Sequence, residues 1–121
     1  MEQLTALSAR VVRYEDQPTV SVTVRTERGF EGSAELPSGV SVGDNEAKLV
    51  DPAQAVRTIS EVVAPELVGL DVLEQRELDE RLMELDGTAD RSHLGVNSLL
   101  PVSLAVCRAA AAALQRSLAV Y

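Results

Sequence analysis

The chain has 121 residues, 45% of them hydrophobic and 25% charged, which suits one soluble globular domain burying roughly two thirds of the surface its unfolded chain would expose. Its 11 Lys+Arg against 19 Asp+Glu leave a net charge of −8, a field that repels phosphate backbones and anionic headgroups and argues against nucleic-acid or membrane partners. Tyr14, Phe30 and Tyr121 are the only aromatics and Cys107 the only cysteine, which removes base-stacking platforms, an internal disulfide and a thiolate metal cluster.

The opening MEQLTALSAR lacks a basic stretch leading into an apolar segment, so no secretory signal is read there and a cytoplasmic address is expected. From Gln3 to Leu36 the chain favours extended structure. Ala6 to Arg13 is short and rich in Val and Leu, and the polar Tyr14 to Pro18 break reads as a turn. Val20, Val22 and Val24 then alternate with Thr19, Ser21, Thr23 and Arg25, the period-2 pattern of a strand with one face buried. Glu27-Arg28-Gly29 supplies a second tight turn, beyond which Phe30, Gly32, Ala34 and Leu36 share a face. The expectation is an antiparallel three-stranded meander.

From Asp51 the period becomes helical. Asp51 is placed to cap a helix with Pro52 at its first position, and Ala55, Val56, Ile59, Val62 and Val63 recur at helical spacing until Pro65, which is expected to stop the run. A second helix is expected from Asp71, capping the N–H of Glu74, to Asp86-Gly87. A third should start near Ser98, hold Pro101 in its first turn and run through Ala109 to Ala113 toward Ser117. That helix is apolar on nearly every side from Val102 to Leu114 and should be enclosed by other elements, with Cys107 among its core residues. It reads as too short to cross a bilayer, and Arg108 falls inside it. Strands followed by helices imply an α+β fold, a three-stranded antiparallel meander followed by a helical bundle.

The segment from Leu36 to Ala47 joins the two halves and gathers Ser38, Gly39, Val40, Ser41 and Gly43 with Asp44 and Glu46. Serine hydroxyls are oxygen donors that a hard cation such as Mg²⁺ accepts, and glycines let backbone approach a ligand or hinge. By composition alone the segment reads first as a solvated connector, in which the glycines make turns and Asp44 or Glu46 caps a helical turn. Elsewhere, His93 has no second histidine or cysteine near it in sequence and suits a surface role, and Glu74, Glu77, Asp79, Glu80 and Glu84 interleave with Arg76 and Arg81 as a solvated helix face.

Four ordered segments resemble one family. Pro37-Ser-Gly-Val-Ser-Val-Gly43 with Glu46-Ala47 is similar to the enolase loop PSGASTGxxEA, and Gln17-Pro-Thr-Val-Ser-Val-Thr-Val24 to NPTVEVEV before it. Ala64-Pro-Glu-Leu-Val-Gly-Leu-Asp71 resembles IAPxLIGxD. Leu85-Asp-Gly-Thr88 and Leu94-Gly-Val-Asn-Ser-Leu-Leu-Pro-Val-Ser-Leu-Ala-Val106 resemble LDGT and LGANAILGVSLAV. The resemblance implies the N-terminal domain of enolase (phosphopyruvate hydratase) across residues 1–121, with strands over 3–36, a mobile loop over 37–47 and helices over 52–117.

In that family 2-phosphoglycerate loses water to give phosphoenolpyruvate, and the general base, metal carboxylates and most phosphate contacts lie in a C-terminal barrel. The resemblance therefore implies no catalytic residue in this chain, a substrate lid formed by Ser38, Gly39, Val40, Ser41 and Gly43, and Ser41 as ligand to a second Mg²⁺ in the assembled enzyme, with no cofactor for this chain alone. Its partner would be a C-terminal barrel domain or chain, or a second copy in a homo-oligomer.

Departures from the pattern motivate an alternative. The aligned DSRGNPT reads Arg13-Tyr-Glu-Asp-Gln-Pro-Thr19, Val42 replaces the loop threonine, the GKGV insertion is missing between Asp51 and Ala55, and Pro101 replaces a glycine. The alternative is a freestanding interaction or regulatory module that retained the fold and lost the chemistry. An independent enzyme ranks last, for want of a base, nucleophile or metal constellation.

Overall fold

The valine alternation in the second predicted strand becomes the centre of the sheet. In the computed structural model, which describes residues 2–14, 17–37, 51–87 and 96–120, β1 (Leu4–Tyr14), β2 (Gln17–Thr26) and β3 (Glu31–Pro37) pair antiparallel in the order β1-β2-β3. Val20, Val22 and Val24 are buried on the face that meets the helices. The β2–β3 turn has Gly29 at φ +87°, its N–H donating to the Thr26 carbonyl at 2.9 Å. One detail departs from simple alternation: Thr19 and Ser21 on the other face are also buried, with Val12, Arg10 and Glu35 as cross-strand neighbours.

A bulge between Leu4 and Ala6 resets the phase of β1. By alternation Leu4 would share a face with Ser8 and Arg10. The extra residue, Thr5, brings Leu4 opposite Thr26 and onto the core side, where it is fully buried.

The helical half follows as α1 (Pro52–Thr58), a π-helical turn (Ile59–Val63), α2 (Ala64–Leu67), α3 (Gln75–Asp86) and α4 (Val96–Val120). Asp51 caps α1 as expected, its Oδ2 accepting from Ala53 N at 3.1 Å and Gln54 N at 3.4 Å. Pro65 does not stop the run. The chain widens into the π turn, in which Ala64 N–H bonds the Ile59 carbonyl, and helix continues to Leu67. A wider turn accommodates the ring and the hydrogen bond that proline cannot donate.

Asp71 does not open the next helix either. Its Oδ1 accepts from Leu73 N and from Glu2 N, both at 3.0 Å, and α3 begins at Gln75 with no side-chain cap. The C-terminal end is where the sequence places it, with Gly87 N–H on the Met83 carbonyl at 3.0 Å.

α4 starts two residues before Ser98, so Pro101 lies in its second turn and forgoes the bond to the Asn97 carbonyl. The helix packs across β3 and β2 through Val102, Ala105, Val106 and Ala109. It encloses itself on that side only. Cys107 is exposed rather than in the core, because it points away from the Ala105–Ala109 face, a choice that an all-round apolar sequence does not reveal. The stretch Ser98–Gln115 is long and apolar enough to span a membrane by length and composition, so shortness is no argument against a span. Half of that stretch is buried in the fold, and Arg108 within it donates to the Ser33 carbonyl at 2.6 Å.

Candidate functional site

Ser38, Gly39, Val40, Ser41 and Gly43 lie outside the described residues, as do His93 and Thr88. What is described is how the two ends of that loop are held. At one end β3 finishes at Pro37, which pairs with Thr19 of β2, while Leu36 pairs with Val20. At the other end Asp51 caps α1, and Ala55 and Ile59 beyond it are fully buried. Both anchors are therefore fixed by hydrogen bonding or core packing.

The β2–β3 register also sorts the four motifs. Because Thr19 stands opposite Pro37, Gln17–Val24 and the residues leading into Ser38 meet at one end of the sheet. The described parts of the other two motifs serve the architecture. Val68 to Asp71 stitches the start of β1 at the opposite end, with Leu4 N donating to the Leu70 carbonyl and Gly69 N to the Leu4 carbonyl, each at 2.8 Å. Gly69 takes φ +99° there, a conformation that glycine adopts without steric cost. Asp86-Gly87 ends α3, and Ser98 to Val106 supplies the buried side of α4.

Sequence reasoning missed Glu2, which is 3% exposed. Its carboxylate accepts from Arg28 N at 3.2 Å and pairs with the Arg28 guanidinium at 3.4 Å, while Val72 N donates to its carbonyl at 2.9 Å. Nothing in a terminal Met-Glu announces such a latch. The acidic face of α3 is split in function. Arg76 pairs with Glu80 at 3.3 Å in the expected i,i+4 manner and Arg81 reaches Glu66 at 3.4 Å. Asp79 instead turns to α4, accepting from Ser103 Oγ at 2.7 Å and Gln75 Nε2 at 3.0 Å.

Among the described residues there is no group of three or more His, Cys, Asp or Glu that could hold a metal ion.

The family profile described as "Enolase, N-terminal domain" matches residues 7–121. The chain belongs to the enolase family. It is 44% identical to an enolase of Methanopyrus kandleri over 94% of its own length, and 45% identical to an enolase of Methanosarcina acetivorans over 86%. It spans 29% and 27% of those two proteins. The sheet followed by helices is the α+β arrangement that the enolase resemblance implies.

Proposed function

We propose that this chain is the lid-bearing N-terminal domain of an enolase or enolase-like lyase, one domain over residues 1–121, and not catalytic alone. In the assembled enzyme 2-phosphoglycerate would be dehydrated to phosphoenolpyruvate in the cytoplasm. The observation that carries the reading is the pairing of Thr19 with Pro37. It sets two enolase-like motifs side by side at the end of the sheet, in a chain 44% identical to an enolase over 94% of its length.

The division of labour follows from the side chains at hand. The sheet and α1 hold the loop ends, and the loop presents Ser38, Gly39, Val40, Ser41 and Gly43 to a substrate seated on the C-terminal barrel. Ser41 offers a neutral hydroxyl oxygen to a Mg²⁺ whose carboxylate ligands come from the barrel. Such an ion, when bound, would supply positive charge to a substrate that carries both a free carboxylate and a phosphate ester. Neutral hydroxyls alone do not satisfy the near-octahedral oxygen shell that Mg²⁺ demands, which supports a shared site.

The test joins this chain to the carboxy-terminal part of an enolase and follows phosphoenolpyruvate formation with Mg²⁺. Turnover by the joined protein and none by the 121-residue chain is expected. Turnover by the chain alone overturns the proposal. The alternative, a freestanding module, is favoured by Val42 and by the altered segment from Arg13 to Gln17. An inactive joined protein that is correctly folded would support it.

A further inference from the structure

The sheet has two outer edges, β1 and β3, and they are finished differently. At the β2–β3 turn Thr26 N donates to the Phe30 carbonyl and Gly29 N to the Thr26 carbonyl. By alternation Val20, Val22 and Val24 turn their N–H and C=O toward β3, and the residues between them turn theirs toward β1. On β1 the backbone groups of Leu7, Ala9, Val11 and Arg13, paired with Val24, Val22, Val20 and Pro18, therefore point away from the sheet. On β3 those of Ser33 do, and Arg108 covers that edge by donating to the Ser33 carbonyl at 2.6 Å. The edge of β1 is taken at its start, where Leu4 N donates to the Leu70 carbonyl and Gly69 N to the Leu4 carbonyl. From Leu7 to Arg13 it has no hydrogen-bonded neighbour beyond β2 among the described residues, and Ser8, Arg10, Val11 and Arg13 are exposed. An open row of this kind is a template for another strand.

Charge says which strand. Arg25, Arg28, Arg76 and Arg81 are in ion pairs, and Arg108 is on its carbonyl. The other arginines whose side chains are described, Arg10, Arg13 and Arg57, are exposed and have no polar partner among the described residues. Two of them are on β1, and Arg57 is on α1, which packs against β1. β1 itself holds no acid. Glu35 stands two strands from Arg10, about 10 Å away, and Glu61 follows Arg57 by one helical turn. A chain of net charge −8 thus sets three unpaired cations along one open edge. A second copy fits this edge badly, because β1 against β1 brings like charges together.

We propose that the edge of β1 from Leu7 to Arg13 is a docking site for an extended acidic peptide segment of another protein, which adds a fourth strand to the sheet. Main-chain hydrogen bonds at Leu7, Ala9, Val11 and Arg13 hold the segment. Acids beside Arg10 and Arg13, with an apolar residue beside Val11, which is 43% exposed, select it. Seven residues fill the site, about 24 Å at 3.4 Å per residue. The inference goes beyond the enolase reading and does not rest on it, since it uses neither the loop nor a barrel.

The probe is the heptapeptide Glu-Thr-Val-Glu-Val-Thr-Val, blocked at both ends, whose acids fall opposite Arg13 and Arg10 when it lies antiparallel to β1. Its binding to the 121-residue chain is read by fluorescence anisotropy and by amide hydrogen exchange. Exchange at Ala9 and Val11 should slow at least tenfold with saturating peptide, while Arg10 and Val12, already bonded to β2, should change little. N-methylation of the third and fifth peptide residues, opposite Val11 and Ala9, should abolish binding. N-methylation of the second and fourth, whose N–H groups point away from β1, should leave it. Arg10→Glu with Arg13→Glu should weaken binding about tenfold, two exposed ion pairs becoming repulsions, whereas Arg76→Glu on α3 should not. Equal binding of the two methylated peptides would mean attraction to the arginines without strand pairing and overturns the proposal. Undiminished binding by the doubly substituted chain overturns the acidic specificity, and absence of binding overturns the site. Slowed exchange at Ala9 and Val11 that grows with chain concentration in the absence of peptide, alongside a dimer in sedimentation, gives the edge to a second copy and overturns it too.

Discussion

Gly32 of β3 lies directly beneath Ala105 of α4: a Cβ built on Gly32 would run into the Ala105 carbonyl oxygen and the Ala109 backbone nitrogen. The obstacle is main chain, so no rotamer change relieves it. Ala105 and Ala109 are themselves fully buried, and the three small residues together let helix and sheet approach at backbone distance. Gly32→Ala should therefore destabilise the chain by about 1–3 kcal/mol, the usual cost of overpacking a tight core. Thermal unfolding would register this as a fall in Tm of about 4 °C per kcal/mol for a chain of this size. An unchanged Tm would mean that α4 does not sit on β3 at this distance.

Asp71 is where two distant parts of the chain are tied, and its charge is secondary to its acceptor. Its Oδ1 holds both Glu2 N and Leu73 N at 3.0 Å, and Glu2 is buried. Asp71→Ala strips the acceptor from a buried N–H and should cost about 1–3 kcal/mol. Asp71→Asn keeps a carbonyl oxygen in the same place and should lose much less. Denaturant titration of the two variants separates the cases, and equal losses would show that the carboxylate charge, not the hydrogen bonds, carries the effect.

Much of the fold was legible because its signals were periodic. Val20, Val22 and Val24 gave the central strand by alternation, and Asp51-Pro52 and Asp86-Gly87 gave helix ends through their capping chemistry. What was not legible depended on partners distant in sequence. Leu4 reached the core through a bulge at Thr5, and Asp71 was drawn to Glu2 across most of the chain. Pro65 was absorbed by a wider helical turn. Cys107 illustrates the limit: α4 is apolar on every side, so only packing against β2 and β3 decides which residues turn outward. The candidate loop was readable only through its resemblance to enolase, because two serines and two glycines have no periodicity to betray a role.

Ser103 and Asp79 form the shortest described polar contact between α4 and α3, at 2.7 Å, beside the bonds from Gln75 Nε2 to Ser103 at 3.4 Å. A hydroxyl donating to a carboxylate is a charge-assisted bond, stronger than one between neutral groups. Ser103→Ala should cost about 1.5–3 kcal/mol, the range for hydrogen bonds to charged groups. Gln75 Nε2 also donates to Asp79, at 3.0 Å, so the carboxylate retains one partner in that variant. A double-mutant cycle with Asp79→Ala should return a coupling of about 0.5–3 kcal/mol. Strict additivity would show the two residues acting independently, leaving the bond from Gln75 Nε2 to the Ser103 carbonyl, at 3.4 Å, as the polar tie between the helices.

The enolase reading makes a sharper demand on Ser41 than on any residue of the core. If its hydroxyl completes a metal shell only when substrate is enclosed, Ser41→Ala should lower kcat of the assembled enzyme by about 100-fold, the scale of losing one positioning contact. On the lid reading, the same substitution should move the stability of the 121-residue chain by no more than about 0.5 kcal/mol, the scale of a change that removes no cap or core contact. Ser38→Ala should share the second property, with a smaller effect on kcat. Val42→Thr, which restores the family's hydroxyl beside Ser41, should raise activity. Steady-state kinetics of the joined protein at saturating Mg²⁺, read alongside Tm of the isolated chain, distinguish a lid from a connector. Full activity in Ser41→Ala and Ser38→Ala would return the loop to the connector reading while leaving family membership intact.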